Sequence, residues 1–182
     1  MRKLFNLTTV ASGAAIGMIV AGVIALVAGG YTRNVVHDQL APQKISFAAS
    51  PKEMPPGIRQ YAGRQVLDGS TAKVFADKYI AVHLQEIGGG KTYSQVSAQF
   101  LKDPTNQKLA QTRQTLFMGE TLRGMLLNAW GWGEVATIAT IGGIVLIGMG
   151  GILLAIPVGA AVAARRREPV GATHTATPTP AT

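Results

Sequence analysis

Residues 135–164 read VATIATIGGIVLIGMGGILLAIPVGAAVAA, and residues 7–30 read LTTVASGAAIGMIVAGVIALVAGG. Neither run contains Asp, Glu, Lys, Arg or His. Each is longer than the roughly 20 apolar residues that a helix needs to span a bilayer. A buried core helix is a poor explanation of the second run, because nothing else in the chain could surround it. The sequence therefore predicts two transmembrane helices.

The first run has a second interpretation, a cleaved signal peptide. Such a peptide has a basic start followed by an apolar core of about 7 to 15 residues. The run after Arg2 and Lys3 is longer than that, although Ala28, Gly29 and Gly30 would permit cleavage. We expect an uncleaved signal anchor.

Basic residues flank the two runs and predict the orientation of the chain. Arg2 and Lys3 precede the first run, and Arg165, Arg166 and Arg167 follow the second. Positive flanks favour the cytoplasmic side, and this rule weakens for translocated segments longer than about 60 residues. We therefore expect a protein of the cell membrane with both termini in the cytoplasm and residues 32–134 on the outer side.

Charge and cysteine content exclude several classes of function. The formal net charge is +8, but five basic residues flank the apolar runs and are explained as topology anchors. The expected partner is therefore the lipid bilayer and not nucleic acid. The chain has no cysteine, which excludes disulfides, thiol redox chemistry and a cysteine metal site.

The predicted fold class is an all-α membrane protein in which two transmembrane helices flank a small helical extracytoplasmic domain. No clear strand pattern occurs. The predicted segments are a cytoplasmic N-terminus (1–6), transmembrane helix 1 as a signal anchor (7–31), an irregular extracytoplasmic linker (32–69), a helical extracytoplasmic domain (70–134), transmembrane helix 2 (135–164) and a disordered cytoplasmic tail (165–182).

The first helix predicted in the outer domain runs from Ser70 to about Ile87. Ser70 or Thr71 is its expected cap, and residues 88–90, all glycine, end it. The residues expected along one side are Phe75, Tyr79, Val82 and Glu86.

Two further helices are predicted after the glycines. Thr92 can cap a short helix that ends near Asp103, since Pro104 follows. Val96 and Phe100 share a face of it. The last helix starts near Asn106 and descends to Trp130, with apolar residues at Leu109, Leu116, Phe117, Leu122, Met125 and Leu126.

Small residues recur at spacings of four in both apolar runs. This spacing permits close helix approach, so we expect the two spans to pack together or the protein to self-associate. Pro157 is expected to kink the second span or to mark its fraying end. Trp130 and Trp132 are placed where an interfacial aromatic belt belongs. The predicted helix-packing residues are Gly13, Gly17, Ala21, Ala25, Gly29, Gly151, Ala155, Gly159 and Ala163.

No motif predicts catalysis or a cofactor. The string Gly-Gly-Gly-Lys-Thr at 88–92 ends like a phosphate-binding loop, but Gln85 stands where that motif needs glycine and a helix precedes it instead of a strand. His37 beside Asp38 and His83 near Glu86 lack the spacing of a metal site. Glu120 and Arg123 are expected to form a helix-surface ion pair.

Several segments resemble those of a family of actinobacterial two-span membrane proteins that are often labelled aromatic ring-opening dioxygenase, LigA type. The segments are YAG (61–63), HL (83–84), GGKTY (89–93) and TLFMGETLRGMLLNAW (115–130). The resemblance implies a small envelope protein of unknown role. The dioxygenase label does not suit this chain, because the enzyme's small subunit is soluble and works beside an iron-holding subunit.

The predicted function is that of an envelope interaction or structural protein without enzymatic activity, catalytic residues, metal or cofactor. Its partner would be another protein or a second copy, bound through the transmembrane helices or the outer domain. Two alternatives are an accessory subunit of an enzyme and a sensor of a small ligand.

Overall fold

The computed structural model describes the backbone of residues 2–166 and the side chains of residues 9–159 and 162. Helices make up 84% of the structure, and the described residues contain no strand, so the helical fold class is confirmed. The predicted tail lies outside the described residues from residue 167 on. The α-helices are α1 (Arg2–Leu40), α2 (Gly69–Val74), α3 (Ala81–Gly88), α4 (Tyr93–Lys102) and α5 (Gln107–Arg166).

Helices α1 and α5 are both long and apolar enough to cross a membrane. The most apolar stretch of each has a mean hydropathy of 2.4, and only 11% of it is buried. The central helix of a soluble protein would be mostly buried. Helix α5 continues through Pro157 to Arg166.

The chain divides into two compact units. The core unit comprises residues 24–143, and the terminal unit comprises residues 2–23 and 144–166 of the described chain. The core unit contains α2, α3, α4 and adjoining parts of α1 and α5. It holds a cluster of buried apolar side chains that includes Phe47, Phe75 and Leu116.

The predicted irregular linker begins later than the sequence suggested. Residues 32–40 continue α1 as regular helix, and Val36 and Leu40 are buried on it. Helix α1 ends where Pro42 enters a short 3₁₀ turn, Ala41–Gln43, and Lys44 takes a left-handed conformation with φ of 52°. The extension was missed because residues 31–40 mix charged and apolar side chains.

The remaining linker is irregular but packed. Two segments run antiparallel, since the Phe47 amide donates to the Arg64 carbonyl at 2.9 Å and the Val66 amide donates to the Ile45 carbonyl at 2.8 Å. This pairing buries Phe47 and Val66 in the core. Two 3₁₀ turns between them, Pro51–Glu53 and Pro56–Tyr61, bury Met54 and Ile58. The linker is therefore part of the folded core.

The helical stretch 69–88 is capped by Asp68, so the predicted caps Ser70 and Thr71 were wrong. The Asp68 carboxylate accepts from the Thr71 amide at 2.8 Å, and the Thr71 hydroxyl accepts from the Asp68 amide at 3.2 Å. This reciprocal pair is a capping box. The other end is as predicted, with Gly89 in the left-handed conformation at φ 57°.

A π-helical segment, Phe75–Ile80, interrupts this stretch. Its wider turn rotates every later side chain relative to a regular α-helix. The predicted face through Val82 and Glu86 is therefore displaced, and Glu86 is exposed. The buried residues of this stretch are Gly69, Thr71, Ala72, Phe75, Ala76, Ile80, Leu84 and Gly88.

The predicted ends of α4 and the start of α5 are confirmed. Thr92 forms a capping box with Gln95, and α4 ends before Asp103 and Pro104. The Asn106 side chain accepts from the Leu109 amide at 3.1 Å, which satisfies a free donor at the start of α5.

Candidate functional site

A groove of about 830 Å³ lies within the core unit, between the end of α1 and the middle of α5. Its volume falls within the range of roughly 300–1,000 Å³ that is usual for small-molecule sites. Most of its wall is apolar, and Tyr31 and Trp132 are more than half exposed. The lining residues are Tyr31, Thr32, Val35, Val36, Asp38, Gln39, Leu40, Pro42, Gln43, Ile45, Leu122, Met125, Leu126, Asn128, Ala129 and Trp132.

A network of charged side chains joins the stretch 69–88 to α5. The Asp77 carboxylate accepts from Lys73 Nζ at 2.9 Å and from Arg123 Nη2 at 3.2 Å. Arg123 Nη1 also lies 3.4 Å from Glu120 Oε2, so the predicted Glu120–Arg123 ion pair is confirmed. Asp77 thus connects two elements that are distant in sequence.

Hydrogen bonds hold the pKa of two aspartates below its usual value. For Asp77 the largest cause is the bond from Lys73, and Arg123 adds to it, while partial burial opposes them. For Asp68 the largest single effect is burial, which raises the pKa, but the bonds from Ser70 and Thr71 together outweigh it. Both carboxylates are therefore ionised at neutral pH.

The two tryptophans have different surroundings. Trp130 Nε1 donates to Glu134 Oε1 at 3.0 Å, and Lys73 Nζ lies 4.0 Å from the centre of the Trp130 ring. Trp132 is 55% exposed and lines the groove. Their placement at a membrane interface stays a prediction.

The predicted small-residue stripes are mostly uncovered in the described structure. At Gly13, Gly17, Gly151 and Gly159, an added methyl group would meet no described atom within 4 Å. Ala21 and Ala155 are exposed, Ala25 is half-buried, and the side chain of Ala163 lies outside the described residues. Packing of these residues on another helix stays a prediction.

Other glycines make the close helix contacts. In the core unit, a methyl group on Gly29, which belongs to the predicted set, would lie 2.5 Å from Thr140 Oγ1 and 2.8 Å from the Ala136 carbonyl oxygen. In the terminal unit, a methyl group on Gly150 would lie 2.7 Å from the Ala15 carbonyl oxygen. Gly150 was not in the predicted set. The buried small residues Ala15, Gly22 and Gly29 of α1 are seven apart, a signal that the four-residue spacing obscured.

Helix 69–88 approaches α5 at a glycine pair. A methyl group on Gly69 would lie 3.1 Å from the Ala129 carbonyl oxygen, and one on Gly133 would lie 3.2 Å from the Gly69 Cα. This close contact brings Lys73 next to Trp130. Glycine at both positions lets the two backbones approach.

His37 and His83, the histidines of the described part of the chain, each contact a neighbouring residue on their own helix. His83 Nδ1 lies 2.7 Å from the Tyr79 carbonyl oxygen, an acceptor, so Nδ1 carries the proton and donates. His37 Nδ1 lies 3.3 Å from Asp38 Oδ1. No group of three or more histidine, aspartate or glutamate side chains converges within the described residues.

The string at 88–92 serves as a turn and a cap. Gly89 and Gly90 take positive φ angles of 57° and 76°. Lys91 Nζ donates to Gln99 Oε1 at 3.1 Å, and Thr92 caps α4. These contacts account locally for residues 89–92 of the string.

The side chains of the predicted topology anchors Arg2, Lys3, Arg165 and Arg166 are not among the described ones, and Arg167 lies outside the described residues. Their role stays a prediction.

No family model, curated protein or solved structure matches this chain. The resemblance to the actinobacterial two-span family therefore stays a prediction that rests on the quoted segments.

Proposed function

We propose that this chain is an integral protein of the cell membrane, with α1 and α5 crossing the bilayer, both termini in the cytoplasm and residues 32–134 outside. The supporting observation is the low burial of the two apolar helices. Ile24 and Val27 on α1 and Ile138 on α5 are each more than 60% exposed. Burying one such side chain is worth about 1.5–3 kcal/mol, and a bilayer supplies the apolar surroundings.

Within the membrane, the chain acts as an interaction protein of the cell envelope. Two features support this role. Two stripes of small residues, one with Gly13 and Gly17 on α1 and one with Gly151 and Gly159 on α5, are left open at these glycines by the described residues and suit close contact with another helix. The core unit has a packed, capped and ion-paired structure, so it can present a fixed surface to a partner.

The preferred partner is another envelope protein or a second copy of this chain. The proposal assigns no catalytic residue. It also does not include the dioxygenase activity that the label of the similar two-span family suggests. A second candidate, recognition of a small ligand, is favoured by the groove beside Trp132.

The orientation can be tested with single cysteines, because the chain has none of its own. Lys102→Cys, at an exposed position, should react with a membrane-impermeant thiol reagent in intact cells. Thr177→Cys should react only after the cells are permeabilised. Reaction of both variants in intact cells, or of neither, would contradict the proposed topology.

The interaction role can be tested by mild crosslinking in intact cells, followed by detergent extraction and mass spectrometry of whatever is joined to residues 61–130. We expect one stoichiometric envelope protein or a second copy of the chain. Recovery of the uncrosslinked monomer alone, under conditions that crosslink a known membrane complex, would contradict the role.

A further inference from the structure

On the groove wall formed by α1 and the turn after it, carboxylate and amide side chains line only the later part. Tyr31, Thr32, Val35 and Val36 come first, directly after the apolar run that ends at residue 30. Asp38, Gln39 and Gln43 follow, with Leu40 and Pro42 between them. If α1 crosses the bilayer as proposed above, the carboxylate and the two amides are farther from the membrane than the first four residues. The head group of a membrane amphiphile likewise lies farther out than its chain.

The groove is long enough to hold part of one lipid chain. On α5 the lining residues run from Leu122 to Trp132, which spans about 15 Å at the helical rise of about 1.5 Å per residue. The proposed topology places these residues outside the hydrocarbon core, so the rest of the lipid chain stays in the outer leaflet. The apolar side chains Val35, Leu122 and Met125 line the groove and are accessible to the bound part of the chain.

The charged side chains that line the groove determine which lipid head group it can bind. Asp38 is the one carboxylate among the lining residues of the described structure, and no lysine, arginine or histidine lines the groove. Its side chain is 78% exposed, and although His37 Nδ1 lies 3.3 Å from Oδ1, the rest of the carboxylate is open to a cation. The amides of Gln39, Gln43 and Asn128 can donate hydrogen bonds to a phosphate. An anionic head group without an ammonium would meet a negative charge and no basic side chain.

We propose that this groove binds one chain of a zwitterionic phospholipid that carries a primary ammonium group. The ammonium pairs with Asp38, and the chain runs past Val35 and Trp132 into the bilayer. This inference rests on the proposed membrane location, because the lipid reaches the groove from the outer leaflet. Tyr31 and Trp132 suit that entrance, since aromatic side chains with a polar edge favour the interface.

The test is native mass spectrometry of the full chain, purified in mild detergent and exposed to phosphatidylethanolamine and phosphatidylglycerol in equal amounts. We expect one retained phosphatidylethanolamine per chain. Val35→Trp fills the groove and should abolish retention. Val27→Trp is the matched control, because Val27 is 67% exposed on the same helix and does not line the groove.

A second variant tests the head group. Asp38→Asn keeps the shape and removes the charge, so the preference for phosphatidylethanolamine should fall about two- to fivefold, as expected for a solvent-exposed ion pair. Leu122→Trp blocks the groove from the α5 side and replaces Val35→Trp in the test if that variant fails to fold, as judged by its melting temperature.

Equal lipid retention by Val35→Trp and Val27→Trp would overturn the inference. Preferential retention of phosphatidylglycerol would overturn it as well. A dimer signal that Val35→Trp removes would instead assign the groove to a second copy of the chain. Extraction of cell membranes at alkaline pH separates the two proposals: release of the chain overturns the membrane location, whereas a chain that stays in the membrane without bound lipid overturns only the lipid site.

Discussion

The core unit and the terminal unit bury different kinds of side chain. The core unit packs large groups, such as Phe47 against Phe75 with ring centres 4.9 Å apart. The terminal unit buries Ala15, Gly22 and Gly150, while large side chains such as Ile152 are exposed. In water, burial of large apolar groups stabilises a fold. Between helices in lipid that force is absent, and close contact through small residues replaces it. The small side chains buried in the terminal unit thus suit the lipid surroundings that we propose for it.

The largest expected effect comes from removing a large side chain from the core unit. Phe47 is 3% exposed and contacts the rings of Tyr61, Phe75 and Tyr79. Phe47→Ala should lower the free energy of unfolding by about 3–5 kcal/mol, because a cavity remains. The measurement is urea unfolding of the detergent-solubilised chain, with hydrogen exchange of residues 69–102 as the signal that monitors unfolding.

The matched control is Leu101→Ala, since Leu101 is 73% exposed. Its effect should stay within about 0.5 kcal/mol. Equal effects of the two variants would show that the core unit does not depend on its aromatic cluster.

The next largest effect is expected in the terminal unit, where substitutions at two adjacent glycines should change stability to different extents. Gly150→Leu places a side chain against the Ala15 carbonyl and Ile19, so it should destabilise the terminal unit by about 1–3 kcal/mol. At Gly151 an added Cβ atom would meet no described atom within 4 Å, so Gly151→Leu should leave the melting temperature unchanged. Thermal unfolding of both variants in detergent measures the difference.

The same pair separates intramolecular from intermolecular packing. If the uncovered stripe binds a second copy, Gly151→Leu should reduce the oligomer size in detergent without destabilising the chain. An unchanged oligomer size for Gly151→Leu would remove that stripe from the proposed interface. A stable Gly150→Leu variant would contradict the close contact with Ala15.

Local signals in the sequence predicted much of the fold. The two long helices follow from uninterrupted apolar runs, the start of α4 follows from Thr92, and the end of α3 follows from Gly89. Asp68 was missed because Ser70 and Thr71, two residues of the capping type, follow it closely. The π-helical segment was missed because no residue type marks an extra residue in a turn.

Local sequence patterns could not predict contacts between residues that are distant in the sequence. Phe47 enters the core only because its strand-like segment pairs with residues near Arg64. The groove joins Asp38 to Asn128, which lie far apart in the sequence. The small residues that make close contacts were only partly found, because segments rich in glycine and alanine contain several possible stripes. Gly29 was predicted and Gly150 was not.

The smallest expected effect comes from the ion-pair network, which occurs in the core unit and has no equivalent among the described residues of the terminal unit. Asp77→Asn removes the charge that Lys73 and Arg123 share, and should lower the free energy of unfolding by about 1–2 kcal/mol at neutral pH, because the carboxylate is largely covered. Glu53→Gln, at an exposed position, is the control and should have little effect.

The pH dependence of the stability difference between the wild-type chain and Asp77→Asn tests whether the Asp77 charge causes that difference. The pKa of Asp77 is lower in the folded chain than its usual value of 3.8, so folding favours the ionised form. The stabilisation is therefore complete above the unfolded pKa and disappears as the pH falls through the lower, folded pKa. Melting temperatures of the wild-type chain and Asp77→Asn should differ at pH 7 and converge in strong acid. A gap that persists unchanged at pH 2 would assign the effect to packing, and the ion pairs would then no longer distinguish the core unit from the terminal unit.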